Sequence, residues 1–170
     1  TYGSAGNGST SHLTTEYFKL ATGTDILHVP YKGVGPMLID LVSGQISMGL
    51  NGAPAVMPHV NSGKLRALAV SSLTRLPSLP QIPTLDEAGV KGFEANGWYG
   101  IVAPAGTPRE IVLKLNAEIR RIMGTPELRA RLDAEGAIPA AGSPEEFAAF
   151  IASEIARWGA VLKRAGIEPQ

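Results

Sequence analysis

The chain contains no cysteine. That excludes disulfides, thiolate nucleophiles and any cysteine-ligated zinc or iron–sulfur centre. It also has no surplus of either charge, with 15 Lys and Arg against 15 Asp and Glu. A nucleic-acid-binding domain ordinarily shows a basic excess, and a neutral chain has no electrostatic reason to sit on an anionic membrane. No apolar run approaches the ~18 residues that a membrane-spanning helix requires. Catalytic signatures are missing as well: no Gly-x-Ser-x-Gly elbow, no His-Glu-x-x-His, no Walker lysine loop. The three histidines, His12, His28 and His59, lie far apart in sequence without metal-ligand spacing and read as structural hydrogen-bonding side chains. Ser9 and His12, three residues apart across a helix start, suit capping better than nucleophile and base. No cofactor or metal is expected, and an α/β enzyme is the weakest reading of the chain.

The 170 residues are 44% hydrophobic, enough for one ordinary domain or two small ones. Glycine is plentiful (20 residues) and unevenly placed: 15 of the 20 precede residue 107, whereas 18 of the 30 charged side chains follow it. The first part therefore reads as strands, short helices and tight loops, and the second as surface-charged helices.

Residues 2–4 suit the end of a strand. A helix follows the glycine-rich stretch 5–12, with Leu13, Tyr17, Leu20 and Ala21 on one face. Strands are expected at 26–29, 46–50 and 65–70, separated by helices at 34–43 and 54–62. This βαβαβαβ order predicts a mostly parallel sheet flanked by helices. Pro77, Pro80 and Pro83 interrupt regular structure, and Thr84-Leu85-Asp86-Glu87 is a capping box for one short helix. Residues 93–103 read as an extended segment in which Trp98 and Tyr99 brace a junction. Three helices follow, opened by Thr107-Pro108, Thr125-Pro126 and Ser143-Pro144. The last carries an apolar face of Phe147, Phe150, Ile151, Ile155, Trp158 and Leu162.

One segment carries the functional signal. Gly6-Asn7-Gly8-Ser9-Thr10-Ser11-His12 is a glycine turn feeding a helix N-terminus, where free N–H groups and the helix dipole favour an anion. The hydroxyls of Ser9, Thr10 and Ser11 add donors beside Gly8. Tyr31, Lys32 and Gly33 end the next strand, and Asn51 the one after. In a parallel sheet these positions share one rim, at the carboxyl ends of the strands, where ligands bind.

These residues also resemble a known family. Tyr2-Gly3-Ser4 with Gly6–His12, His28-Val29-Pro30-Tyr31-Lys32-Gly33 and Gly63-Lys64-Leu65-Arg66-Ala67-Leu68-Ala69-Val70 occur in order. Leu79-Pro80-Gln81-Ile82-Pro83-Thr84, Ala103-Pro104-Ala105-Gly106-Thr107-Pro108 and Pro144-Glu145-Glu146-Phe147 follow. Together they resemble the Bug (TctC-like) family, extracytoplasmic solute-binding receptors of tripartite tricarboxylate transporters. The resemblance implies a type II periplasmic-binding-protein fold, with a small organic carboxylate held between two lobes and handed to membrane permease subunits. Sensing through a membrane kinase is the alternative use of the same cleft. On this reading residues 1–97 form the second, ligand-binding lobe and 98–106 a crossover. Residues 107–170 form a helical segment of the first lobe, whose N-terminal part is absent from this chain, and the shortened chain is expected to cover its apolar helix face in a dimer. The implied location is periplasmic. The family's share of the site here is Gly8, Ser9, Thr10, Ser11, Tyr31, Lys32, Gly33 and Asn51. Leu50-Asn51 replaces a Phe-Asp common in the family.

Overall fold

The computed structural model describes residues 1–166. Strand β1 (Tyr2–Ser4) is followed by helix α1 (Thr10–Thr22), strand β2 (His28–Pro30), α2 (Val34–Val42) and α3 (Ala53–Asn61). Then come α4 (Arg109–Met123), α5 (Pro126–Ala134) and α6 (Pro144–Ala165). β1 and β2 pair in parallel, with Tyr2 opposite His28, Gly3 opposite Val29 and Ser4 opposite Pro30. On the other side of β1, Tyr2 forms a single parallel bridge with Met48, and the Gly3 amide donates to Met48 O at 3.0 Å. β1 is therefore central, and all three of its residues are buried.

The sheet is smaller than the sequence pattern suggests. The strand expected at 46–50 is reduced to that one bridge. The strand expected at 65–70 survives only as a parallel bridge between Val70 and Thr84. Leu68 there is 70% exposed, so the run is apolar without being covered. The capping box at Thr84 does form, with the Glu87 amide donating to Thr84 Oγ1 at 3.0 Å and the Thr84 amide to Glu87 Oε2 at 2.8 Å. It closes a series of turns rather than a helix, because Gly89 and Gly92, both at positive φ, follow too soon for a helix to extend.

Strand alternation divides the core in two. Gly3 and Val29 point to the α2 side, where Met37, Leu38 and Ile46 form the apolar cluster. Tyr2, Ser4 and His28 point to α1. The buried residues of α1 are Ser11, His12, Thr14 and Thr15, so the expected apolar face of Leu13, Tyr17, Leu20 and Ala21 is not the deepest one. A polar helix face can be buried here because the groups it meets are themselves polar and hydrogen-bonded.

The expected helices of the second part are present, but they bury little. α4 and α5 have no buried residue. In α6 the one buried residue is Glu154, while Phe150 is 42% and Ile155 69% exposed. Ser143 starts α6 with a complete capping box to Glu146. The last four residues of the 107–170 segment lie outside the described residues.

A Cβ placed on Gly3 would collide with Ile46 Cδ1 and come within 2.7 Å of Met37 Cγ. Gly3→Ala is expected to cost about 1–3 kcal/mol through overpacking. A urea titration would show a lower midpoint at unchanged slope; an unchanged midpoint would show that α2 can move away freely.

Candidate anion site at the rim of the sheet

β1 leads into a loop that closes on itself. The Gly6 amide donates to Ser4 Oγ, and that hydroxyl donates to Gly6 O, both at 3.2 Å. Gly6 (φ 126°) and Gly8 (φ 72°) take backbone conformations that side chains disfavour. At Gly6 a Cβ would stand 3.0 Å from Tyr31 O. Ser9 caps α1: its extended backbone (φ −66°, ψ 158°) sets Oγ to accept from the His12 amide at 3.3 Å. The same hydroxyl donates to Gly6 O at 2.6 Å. Ser11 Oγ accepts from the Ala5 amide at 2.9 Å and is buried. The Ser9 and Ser11 hydroxyls thus hold the loop together.

The Thr10 and Ser11 amides remain. They lie in the first turn of α1, where no preceding carbonyl can reach them, and have no acceptor among the described residues. Thr10 is exposed, and its hydroxyl is likewise unengaged among the described residues.

The second rim segment is stitched to the first. The Tyr31 amide donates to Ser4 O at 3.1 Å and the Gly33 amide to Ala5 O at 3.0 Å. The Tyr31 hydroxyl donates to Asp40 Oδ2 at 2.7 Å, and this bond pushes the phenol above its ordinary range. That hydroxyl therefore anchors the loop to α2. Lys32 is exposed. Gly33 is the N-cap of α2, and Gly52, next to Asn51, is the N-cap of α3. Asn51 Nδ2 lies 4.0 Å from Met37 Sδ. Because the pairings are parallel, the N-termini of α1, α2 and α3 all follow carboxyl ends of extended segments at one sheet edge, each with its positive dipole end outward.

A polar layer lies beneath. Tyr2, His28 and His12 stack as three near-parallel rings, with centroids 4.7 Å and 4.2 Å apart. Ser4 Oγ lies 2.6 Å from His28 Nε2. The Tyr2 hydroxyl donates to Glu16 Oε1 at 2.6 Å, and Lys19 Nζ donates to the same oxygen at 2.9 Å. Burial depresses both imidazoles below their ordinary range. Around His12, Glu16 works against that and Lys19 with it. Burial and the Glu16 contact push the Tyr2 phenol far up. Glu16 is opposed by burial, yet its bonds to Tyr2 and Lys19 hold it below the usual carboxylate range.

Beside Thr10 an open groove of about 380 Å³ runs between α1, α6 and residues 96–98, with Asn96, Trp98, Glu154 and Trp158 among its walls. Glu154 Oε2 accepts from the indole N–H of Trp98 at 3.2 Å and of Trp158 at 3.1 Å. Arg157 Nε lies 3.0 Å from Glu154 Oε1. Trp98 also meets Phe147 and Phe150 edge-on. It braces residues 96–98 against α6, whereas Tyr99 is wholly exposed. Among the described residues no cluster of imidazoles and carboxylates is arranged to hold a metal ion.

The structure thus ties Tyr31–Gly33 by backbone bonds to Ser4 and Ala5, at the start of the loop that leads to Gly8–Ser11, and puts Asn51 on the same edge. Sequence reading gave His12 and His28 structural hydrogen-bonding roles but missed the layer they form with Tyr2, Ser4 and Glu16, and the buried Glu154. Its available signal was the alternation in Tyr2-Gly3-Ser4 and His28-Val29-Pro30, which places the polar members on one sheet face.

Residues 1–167 match the family model described as the tripartite tricarboxylate transporter family receptor. The protein BugT of Bordetella pertussis is 40% identical over 159 residues, covering 94% of this chain and 49% of that protein. A protein encoded in the tcbD-tcbE intergenic region of a Pseudomonas species is 39% identical, over 92% of this chain and 47% of its own length. The chain thus spans about half the length of these curated relatives. An R. palustris protein solved with adipate superposes at TM-score 0.94 with 44% identity, covering 99% of this chain and 56% of that one. The periplasmic binding protein BugD gives TM-score 0.87 at 36% identity, over 99% of this chain and 57% of that one. MatC from Rhodopseudomonas palustris, with bound malate, gives 0.82 at 34%, over 95% and 56%.

The histidine layer gives the fold a defined pH response. Since folded His12 and His28 titrate below the ordinary imidazole value near 6.5, the unfolded chain binds more protons just below that pH. Stability is then full above about pH 6.5 and falls as pH drops toward the folded values. Thermal melts from pH 7.5 to 5.0 should show a falling midpoint, with a smaller drop in His28→Asn. A flat profile would show that neither ring is kept neutral.

Proposed function

Because the chain belongs to the tripartite tricarboxylate transporter receptor family, whose solved members include periplasmic binding proteins, we propose that it captures a small organic carboxylate in the periplasm. The loaded receptor then delivers it to the membrane permease subunits of the transporter. The observation that carries this reading is the pair of free amides at Thr10 and Ser11, opening a helix N-terminus at the carboxyl edge of parallel strands. Two such donors in line with a helix dipole suit one carboxylate group. Gly8, Ser9, Thr10 and Ser11 form the primary cradle. Ser9 and Ser11 act by shaping it, and Thr10 adds a hydroxyl. Tyr31 to Gly33 and Asn51 form the second wall, with Lys32 as its cation. Adipate and malate, held by two of the superposed proteins, set the size class. Binding and release, without bond chemistry, constitute the activity.

In this reading residues 1–97 are the ligand-binding lobe, 98–106 the crossover and 107–170 the helical part that packs on another lobe. The exposed Tyr99, Ile101 and Val102, with Ile111, Leu115 and Ile155 on the helices, support that packing. Residues 1–170 isolated on their own are expected to pair through these faces. Sedimentation equilibrium would then report two chains, and a clean monomer at high concentration would refute it.

The amide cradle is tested by Thr10→Pro. Ser9 already has the extended conformation required before proline, and proline is at home in the first helical position. This change deletes the Thr10 N–H together with its hydroxyl and leaves the helix, so Thr10→Val, which loses the hydroxyl alone, is the reference for the affinity. Titration calorimetry with malate and adipate on the full native-length protein should show binding of at least one. Thr10→Pro should weaken it roughly 10- to 100-fold, the range for one hydrogen bond to a charged group. Absence of binding across a panel of C4–C6 dicarboxylates would refute the function. Unchanged affinity in Thr10→Pro would move the site elsewhere.

A further inference from the structure

The most unusual bond of the glycine loop is made by a side chain that does not face the rim. The Gly8 amide donates to His12 Nδ1 at 3.1 Å. An amide can only donate, so Nδ1 is the acceptor and the ring, when neutral, carries its proton on Nε2. The Asn7–Gly8 peptide is thereby fixed just before the Ser9 cap, with Gly8 at a left-handed φ of 72°. His12 is 8% exposed, and its ring is clamped face to face on His28 at an interplanar angle of 14°. His28 is in turn clamped by Tyr2 and tied to Ser4 Oγ, which itself bonds Gly6. The two ends of the loop, Gly6 and Gly8, are therefore both held from below by the same stacked pair of imidazoles.

We propose that His12 is a positioning residue for carboxylate binding: its unprotonated Nδ1, locked by the His28 stack, holds Gly8 so that the Thr10 and Ser11 amides converge on the ligand. This rests on the carboxylate reading of the rim. It adds that the site is switched off from beneath by a proton. With Nδ1–H formed, the ring and the Gly8 amide present two donors to each other, and the loop must open. The groups around the ring are His28 from β2, stacked on it, Glu16 and Lys19 from α1, and Tyr2 of β1 on the other side of His28. Burial is the largest influence on His12 and favours the neutral acceptor. The site is therefore competent at neutral pH and fails only on acidification past the lowered protonation range of the buried ring.

Two variants separate positioning from simple folding. His12→Asn keeps an acceptor on Cγ where Nδ1 stands and does not titrate in this range. His12→Phe keeps the ring stack and loses the acceptor. Malate or adipate, whichever binds, is titrated at pH 7.5 and 5.5 in wild type and both variants of the full native-length protein. Comparison with His12→Asn cancels the ligand's own titration. His12→Asn should retain affinity within about threefold at pH 7.5 and lose the excess weakening at pH 5.5. His12→Phe should bind roughly tenfold more weakly at both, the worth of one backbone hydrogen bond. Affinity in wild type that rises on acidification, relative to His12→Asn, would make the ring a charge for the anion and overturn the proposal. Equal affinities in all three proteins would overturn it too. A ligand-free reading keeps this distinct from failure of the carboxylate function: at pH 7.5 the ¹⁵N shift of His12 Nδ1 should be that of an unprotonated nitrogen, and Gly8 amide exchange should be slowed in wild type and His12→Asn but not in His12→Phe. A protonated Nδ1 or an unprotected Gly8 refutes the positioning role whatever the ligand.

Discussion

The parallel alignment of β1 with β2 is the constraint on which the remaining architecture depends. Three residue pairs fix it, and its direct consequence is that the chain leaves both strands at the same edge. The Tyr31 and Gly33 amides can then reach Ser4 O and Ala5 O, so two loops remote in sequence become one rim. Had the pairing been antiparallel, the starts of α1 and α2 would lie at opposite ends of the sheet, and no set of dipoles could converge. Gly3 makes the alignment compatible with close packing, since the side of β1 that faces α2 has no room for a side chain.

The other side of β1 supports the site in a different way. An apolar layer would have held α1 against the sheet but left the glycine loop untethered. The polar layer does both. The Tyr2 hydroxyl and Lys19 share the Glu16 carboxylate, while Ser4 and His28 engage each other and the loop. Burying such groups is tolerable only because each has a partner. The arrangement is consequently specific: a shift of α1 by one residue would orphan several partners at once, whereas an apolar interface would slide.

Helices were the legible part of the sequence, because capping residues and glycine stops are local signals. Ser143 with Glu146 sits where those signals indicate. Strands were legible only in part. Leu65–Val70 has a strand's composition, yet pairing needs a partner at the right place, and here only Val70 finds one. The rim was legible because glycine spacing and strand order suffice to place it. The roles within it were not. Ser9, Thr10 and Ser11 look equivalent as a string of hydroxyl residues, but the turn of the helix points Ser11 inward to Ala5 and leaves Thr10 outside. The pairing of His12 with His28 depends on a crossover that no local pattern encodes. Glu154, in a helix read as apolar on one face, was hidden by its own neighbours in the stripe.

Glu154 has an optical consequence. The chain has two tryptophans, and both indole N–H groups end on the same carboxylate oxygen. Indole emission is sensitive to a charge at that nitrogen. The tryptophan fluorescence of this chain is therefore a single-locus signal, set where residues 96–98 meet helix α6. An event that draws those two elements apart breaks the Trp98 bond to Glu154 while Trp158, on the same helix as Glu154, keeps its own, so one indole reports and the other serves as its reference.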